Sequence, residues 1–122
     1  MSPLSLPASQ RLLDTDLALS QIGDPDAMRE MLAMLQEALA RDVPEISVLL
    51  QRGDTVGANH LLHAIKGFIP IFCPEPLCLE VARIEGMSKD AFNAELAGGY
   101  ARLRPLLEQL LSEVSACLAG GA

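Results

Sequence analysis

Apolar residues recur along this chain at alternating steps of three and four, the spacing of one face of an α-helix. Each run leaves polar and charged residues on the opposite side of its helix. The pattern therefore predicts amphipathic helices around a shared core. The longest apolar stripe consists of Met28, Leu32, Leu35, Leu39, Val43, Ile46 and Leu50. A second stripe consists of Phe92, Leu96, Leu103, Leu107, Leu110, Val114 and Leu118.

Two glycine-aspartate pairs, Gly23-Asp24 and Gly53-Asp54, separate the first three predicted helices. Glycine tolerates the left-handed backbone that ends a helix, and the aspartate that follows can cap the next helix. The first helix is predicted over residues 14–22. The second begins at Pro25, a residue suited to the first helical position. The third is predicted to run from the second pair to about residue 69.

Proline and glycine also mark the later part of the chain. Pro44 lies inside the first apolar stripe, whose unbroken period predicts a bend at this proline and not an end. The prolines that crowd the chain after residue 69 predict a fourth helix over about residues 76–84. A break is expected at Gly86-Met87-Ser88, where Ser88 would be the N-cap of the last helix.

The last predicted helix has weak points at Gly98-Gly99 and at Pro105, where it can divide into two helices in line. Short connections favour antiparallel neighbours. We therefore predict an all-α fold, an antiparallel up-and-down four-helix bundle with a short extra N-terminal helix. Residues 11–120 would form this single domain, and residues 1–10 a disordered lead-in.

Composition narrows the classes of partner. Half of the 122 residues are hydrophobic and only 3% are aromatic, so the predicted core is aliphatic. The net charge of −7, with dispersed basic residues, argues against nucleic acid. No apolar run approaches the length that spans a bilayer, and no secretory signal is recognisable. Three cysteines without a CxxC pair do not indicate a disulfide framework. We expect a cytoplasmic protein that binds no membrane.

The candidate chemistry lies in the segment from Val56 to Phe72. With His63 placed at zero on a helical projection, the apolar residues of this segment fall on the opposite half, so His63 is predicted to point outward. Its own face is polar and sparsely covered. The other members of this face, called the His63 face below, are Val56, Asn59, Lys66, Gly67 and Pro70, with His60 at one edge.

Three properties of the His63 face suit a phosphoryl group. An exposed neutral imidazole keeps a free lone pair near neutral pH and is a nucleophile. The ammonium of Lys66, one turn after His63, can offset the negative charge of a phosphoryl group on the ring. Gly67 costs about 1 kcal/mol relative to alanine inside a helix and removes bulk beside the imidazole. Without such neighbours, a helical histidine is usually structural or merely solvated.

The run His63-Ala64-Ile65-Lys66-Gly67 resembles the H-x-L-K-G signature of histidine phosphotransfer (HPt) domains, the relay modules of two-component signalling. The resemblance covers nearly the whole chain. Leu13-Asp14-Thr15-Asp16 resembles the opening of the family, and Gln51-Arg52-Gly53-Asp54 the residues before its active helix. Ile84-Glu85 resembles the L-E pair on the next helix.

The resemblance implies that His63 accepts a phosphoryl group, through Nε2, from the aspartate of a receiver domain and passes it to another receiver. Lys66 would stabilise the phosphorylated ring, and Gly67 would leave clearance for the docking receiver. The partners would be response-regulator receiver domains and a hybrid sensor histidine kinase. The receiver would supply Mg²⁺, so this chain would be a monomeric phosphocarrier without a cofactor, metal or enzymatic activity of its own. Further partner contacts are expected at Asn59, His60 and Pro70.

The chain departs from the family's pattern on both sides of His63. Members usually continue with small residues after the glycine, whereas here Phe68 to Pro74 follows, and Pro70 frees the carbonyl of Lys66. Leu62 stands where alanine is common and is expected to narrow access to one edge of the histidine. An alternative hypothesis is therefore a helical adaptor that binds a receiver or histidine kinase without transferring phosphate.

Two other interpretations fit the sequence less well. His60 and His63, three residues apart, could share a metal ion, but no suitably spaced carboxylate or cysteine completes a ligand set on this helix. The dimerisation region of a histidine kinase would carry an H-E-x-x-x-P pattern, which is absent. Cys73, Cys78 and Cys117 are expected to be small apolar residues of the core or its flanks.

Overall fold

A computed structural model of the chain describes residues 11–90 and 93–121. The regular secondary structure in these ranges is entirely helical and includes no strand. The prediction of an all-α fold is therefore confirmed. The lead-in expected at residues 1–10 lies outside the described residues.

Five α-helices follow one another in the described part of the chain. None of them combines the length and apolar composition that a membrane span requires. A 3-10 turn at Ile69–Ile71 follows the third helix, and a π-helical turn at Cys117–Gly121 follows the fifth. The helices are α1 (Thr15–Ile22), α2 (Pro25–Gln51), α3 (Thr55–Phe68), α4 (Glu75–Asp90) and α5 (Asn93–Ala116).

The predicted caps of the first three helices form. The side chains of Asp14, Asp24 and Asp54 each accept a hydrogen bond from a backbone N–H in the first turn of α1, α2 and α3. Gly23 and Gly53 have φ values of +82° and +75°, the left-handed conformation expected of them. These local signals set the helix boundaries to within a residue or two of the prediction.

Two of the prolines lie inside helices without ending them. α2 continues through Pro44, as its unbroken apolar period predicted. α5 continues through Gly98-Gly99 and Pro105 as one helix, so the anticipated division into two helices in line does not occur. Next to Pro44, the buried hydroxyl of Tyr100 donates a 2.6 Å hydrogen bond to the carbonyl of Val43, which fastens α5 to α2.

The predicted break at residues 86–88 is wrong. α4 continues to Asp90, well beyond the predicted end at residue 84. Ser88 is buried and caps no helix, because its hydroxyl donates to the carbonyl of Glu85 one turn earlier, at 2.5 Å. This bond satisfies the hydroxyl inside an unbroken helix. Gly86 is simply tolerated in the helix interior, at a modest cost in propensity.

The long helices enclose one aliphatic core. α2 packs against α3 and α5, α4 packs against the same two helices, and α1 packs against α2. Most stripe residues are buried, although Phe92 lies outside the described residues. Cys73 and Cys117 are buried and Cys78 is half-buried, all as free thiols, which confirms their expected place. α3 therefore lies between α2 and α4 with its outer side uncovered.

The segment before α1 is anchored to two distant parts of the chain. The backbone N–H groups of Leu12 and Leu13 both donate to Oε1 of Glu113 on α5, at 2.9 Å. The N–H of Asp14 donates to the carbonyl of Phe72, just after the 3-10 turn, at 2.7 Å. Leu12 and Leu13 are themselves buried, so this segment belongs to the core.

Alanine substitutions at the adjacent glycines of α5 should have opposite effects. Among the described residues, a Cβ added at Gly98 would meet only Arg102 Nη1, at 3.8 Å, whereas at Gly99 it would lie 2.8 Å from Cδ1 of the buried Ile84. Urea unfolding of Gly98→Ala should give a free energy of unfolding about 0.5–1 kcal/mol above the wild type, from helix propensity alone. Gly99→Ala should give one about 1 kcal/mol below it, from overpacking. Equal stabilisation by both would contradict the close approach of α4 and α5.

Candidate functional site

The His63 face of α3 is open to solvent, with His63 near its centre. The His63 side chain is 69% exposed, which confirms its predicted outward orientation. The opposite half of the helix enters the core through Ala58, Leu62 and Ile65. The other exposed members of the face are Val56, His60, Gly67 and Pro70.

Leu62 does not narrow access to His63, and that expectation is wrong. Its side chain is fully buried in the core. Consecutive helical residues are about 100° apart around the axis, which is enough to turn Leu62 away from the surface that carries His63. The larger side chain at this position therefore affects core packing and leaves the imidazole uncovered.

A buried carboxylate of α4 organises one side of the His63 face. The side chain of Glu85 is only 2% exposed, yet it is in contact with three groups that can carry positive charge. Lys66 Nζ lies 3.2 Å from Glu85 Oε1. Lys89 Nζ and His63 Nδ1 both approach Glu85 Oε2, at 3.4 Å and 3.5 Å. Glu85 thus connects the predicted nucleophile to both ammonium groups.

Asn59 completes this cluster from α3. Its Nδ2 lies 3.1 Å from Glu85 Oε2 and 2.8 Å from Ser88 Oγ, in donating positions to both. Asn59 is half-buried, and its amide is directed to α4. It therefore joins α3 to α4 one turn before His63.

The pKa of Glu85 reflects two opposed effects. Burial disfavours the charged form and by itself raises the pKa of the carboxyl. Hydrogen bonds from Lys66 and Asn59, together with the charges of Lys66 and Lys89, outweigh burial and hold the pKa below its ordinary value of 4.5. Glu85 is therefore a carboxylate at neutral pH, as the burial of a charge next to paired ammonium groups allows.

An ionised Glu85 selects one form of the His63 ring. A carboxylate beside Nδ1 favours the tautomer with the proton on Nδ1, because the N–H dipole then points at the negative charge. At 3.5 Å the contact is longer than a typical hydrogen bond, so its effect is mainly electrostatic. The lone pair then resides on Nε2, the ring nitrogen that does not face Glu85. With the side chain 69% exposed, this nitrogen is the one expected to be accessible.

Gly67 has no packing role in the fold. A Cβ built on Gly67 would find no atom of the described residues within 4 Å, apart from its own helix. The lack of a side chain at this position therefore does not serve to accommodate a neighbouring helix. It leaves open space beside His63 on the exposed surface of α3.

A groove borders the His63 face on the side away from Glu85. It has a volume of about 300 Å³ and lies between α2 and α3. Met34, which is 58% exposed, lines it from α2, and Ala64 and Phe68 line it from α3. The charged residues that also line it from α2 are Glu37, Arg41 and Asp42. Ala64 lies about 100° further around the helix than His63, so the groove flanks the His63 face. The face thus has the Glu85 cluster toward α4 and a groove with apolar and charged lining toward α2.

The metal interpretation gains no support from side-chain placement. Among the described residues, no three or more His, Cys, Asp and Glu side chains are grouped so that they could hold a metal ion. His60 is exposed on the α2 side of the His63 face.

The sequence pattern predicts roles for His63, Lys66 and Gly67 and indicates none for Glu85 or Lys89. Glu85 entered only through the likeness of Ile84-Glu85 to a family pair. Its contact with Lys66 spans 19 positions and crosses between helices, which local spacing does not reveal. The four-residue spacing of Glu85 and Lys89 was a usable signal, because such pairs meet on a helix surface.

Comparisons with known proteins leave the site to be interpreted from its own geometry. No family model matches the chain, and comparisons with curated proteins and with solved structures give no match. The geometry provides an exposed imidazole with its outer nitrogen available, two ammonium groups beside it and open space at Gly67. Such a surface can accept an electrophilic, negatively charged group from a partner.

The depressed pKa of Glu85 predicts a pH-dependent contribution to stability. A carboxyl with a lower pKa in the folded than in the unfolded state stabilises the fold above its unfolded pKa, and that stabilisation is lost as the pH falls through the folded value. At pH 7 we expect Glu85→Gln to lower the free energy of unfolding by about 1–3 kcal/mol. The difference from wild type should shrink steadily below pH 4.5.

Urea unfolding from pH 7 to pH 3 measures this difference. Glu45→Gln is the matched control, because Glu45 is an exposed glutamate of α2 and its substitution should change little at any pH. A Glu85→Gln effect that is the same at pH 3 and pH 7 would show that the carboxylate charge does not stabilise the cluster.

Proposed function

We propose that this chain is a phosphocarrier of the HPt type. In this proposal His63 accepts a phosphoryl group from the phosphoaspartate of a receiver domain and passes it to another response-regulator receiver in a two-component phosphorelay. The observation that carries the proposal is the position of His63, exposed on α3 with Nδ1 turned to the buried carboxylate of Glu85. This orientation leaves Nε2 available to a partner.

The helix contacts support the four-helix bundle that such a protein would have. α2, α3, α4 and α5 each pack against two of the other three, in the cyclic order of the chain. α1 adds to α2 as the short extra helix. We infer that the four long helices form an antiparallel up-and-down bundle, with the His63 face on its outer surface.

The proposed transfer follows from the tautomer that Glu85 favours. The lone pair on Nε2 of His63 forms a bond to phosphorus while the phosphorus–oxygen bond to the aspartate breaks, and the aspartate leaves as a carboxylate with the electron pair. The ring keeps its proton on Nδ1 and becomes cationic. Glu85 then lies next to the new positive charge and stabilises it. Transfer to the next receiver is the same step in reverse.

Lys66 and the partner share the charge of the phosphoryl group. The Lys66 side chain is one turn from His63 and 39% exposed, so its ammonium can extend toward the oxygens of a phosphoryl group on Nε2. The receiver would supply Mg²⁺ and its acidic pocket, and this chain would need no cofactor. Catalysis in such a step is positioning and electrostatic stabilisation.

The surroundings of His63 suit a transient protein partner. Gly67 gives clearance, His60 and Pro70 are exposed beside it, and the groove at Met34 offers apolar area. Contacts of this limited size suit exchange between partners more than permanent assembly. We propose receiver domains of response regulators and of a hybrid sensor histidine kinase as partners, with the chain acting as a cytoplasmic monomer without nucleic acid or membrane contacts.

One observation favours a second candidate, an adaptor that binds a receiver or kinase without transferring phosphate. α3 ends at Phe68, immediately after Gly67, and the chain continues as a 3-10 turn with Pro70 exposed. Pro70 removes the N–H that would extend the helix below His63. A partner could dock on this altered end without bringing its aspartate to Nε2.

Phosphotransfer from a panel of phosphorylated receiver domains distinguishes the two candidates. The wild type and His60→Ala should acquire an acid-labile label, and His63→Ala should acquire none, because only His63 has the Glu85 contact that directs Nε2 outward. His60→Ala is the matched control, since the chain has two histidines and both are exposed on α3. Binding without label for all three proteins would favour the adaptor.

A side chain at Gly67 should block docking without damaging the fold. Gly67→Leu is expected to keep or raise stability, because among the described residues no atom outside its own helix lies within 4 Å of the new Cβ, and leucine has the higher helix propensity. Its affinity for a transferring receiver should nevertheless fall at least tenfold in a calorimetric titration, since the docking surface would be obstructed.

The control for that experiment is Gly98→Leu on α5, a helix that packs against α2 and α4. It introduces the same side chain at a helical glycine away from the His63 face and should leave the affinity unchanged. Equal affinity of Gly67→Leu and wild type would remove Gly67 from the docking surface.

A further inference from the structure

Both lysines of this chain contact the same carboxylate. Lys66 and Lys89 are the only lysines in the sequence, and they lie on different helices, α3 and α4. Each nevertheless has its ammonium within 3.4 Å of an oxygen of Glu85. Two positive charges and one negative charge leave the cluster with a surplus of one positive charge. This surplus lies beside His63, at the surface of a protein whose net charge is −7.

Lys89 shares a contact atom with His63. Its Nζ and Nδ1 of His63 contact the same oxygen, Oε2 of Glu85, at 3.4 Å and 3.5 Å. The Lys89 side chain is 58% exposed, so its stem is free to follow a charge that appears on the ring. Helical spacing along α3 does not place Lys89 on the His63 face, because it belongs to another helix.

We propose that Lys89 is a second cation for the phosphoryl group on His63, held on Glu85 until that group arrives. The inference rests on the proposed function and adds a binding residue to it. A phosphoryl group brings a charge of about −1.5 to −2 and three acceptor oxygens, more than a single ammonium can offset. Lys66 from α3 and Lys89 from α4 would contact it from two sides.

Phosphorylation would change which positive groups compensate the charge of Glu85. Before phosphorylation, the two ammonium groups compensate the buried carboxylate. After phosphorylation, the ring of His63 is cationic and its Nδ1–H lies beside Oε2, so the ring itself supplies positive charge to Glu85. An ammonium is thereby released for the phosphoryl oxygens without leaving Glu85 uncompensated, which would be costly for a buried charge.

The test uses chemical phosphorylation and needs no receiver. Phosphoramidate, a small-molecule phosphodonor to imidazoles, is applied to the full chain, and phosphorus NMR follows the phosphohistidine signal through a pH titration. Removal of a nearby positive charge should raise the pKa measured from the phosphohistidine signal, because the deprotonated, more negative form loses stabilisation. For Lys89→Gln we expect an increase of about half a pH unit, with a twofold to fivefold slower reaction with phosphoramidate.

Three controls make the result specific. Lys89→Arg keeps the charge and should restore the wild-type titration. Arg102→Gln removes an exposed positive charge from α5 and should change nothing. In a His63→Ala background, a phosphoryl group on His60 should titrate identically with and without Lys89, because no contact joins His60 to the Glu85 cluster among the described side chains. Urea unfolding checks that each variant is folded.

The outcomes separate this inference from the proposed function. An unchanged titration of folded Lys89→Gln, or an equal change in Arg102→Gln, would overturn the role of Lys89 even if receivers transfer phosphate to His63. The expected shift, observed while no receiver transfers phosphate, would support the role of Lys89 as a cation for the phosphoryl group and count against the relay. Restoration by Lys89→Arg would assign the effect to charge.

Discussion

The structure depends on the burial of one ionised carboxylate between two helices. A charge removed from water must be compensated by opposite charge and hydrogen bonds, or the fold loses several kcal/mol. At Glu85 the compensation comes from Lys66 and Asn59 on α3 and from Lys89 on α4. The same requirement that joins the helices also brings the ring of His63 to the carboxylate. The contact between α3 and α4 and the position of the His63 ring therefore both follow from the need to compensate the buried charge of Glu85.

The aliphatic core places that carboxylate with the needed accuracy. Ile84, the residue before Glu85, is fully buried, and its Cδ1 lies where a side chain on Gly99 would begin. The missing side chain lets α4 settle closely on α5, which sets the depth of Glu85 below the surface. On the other side, Asn59 bonds to Ser88 and limits how far α3 can separate from α4. Protein interiors are closely packed, so the position of one buried side chain constrains the positions of its neighbours.

The sequence predicted the features that depend on residues close together in the chain. It missed the contacts between residues that are far apart in the chain. The caps at Asp14, Asp24 and Asp54 act within one turn, so residue types alone located the starts of α1, α2 and α3. The outward orientation of His63 followed from periodicity for the same reason. The predicted N-cap at Ser88 was wrong because a serine hydroxyl can either cap a helix or bond to a carbonyl one turn earlier in the same helix. Whether the side chain is buried distinguishes these two roles, and the sequence does not show that. The contacts of Glu85 arise from helix pairing, which no local pattern contains.

The difference between the two sides of the His63 face has a geometric consequence. Lys66 and Lys89 lie on the α4 side of this face, whereas the groove at Met34, with apolar and charged lining, lies on its α2 side. A rotation of a partner by 180° in the plane of the surface would exchange the two sides that it meets. The His63 face is therefore asymmetric across its width, and this asymmetry distinguishes the two opposite orientations in which a partner could lie along α3.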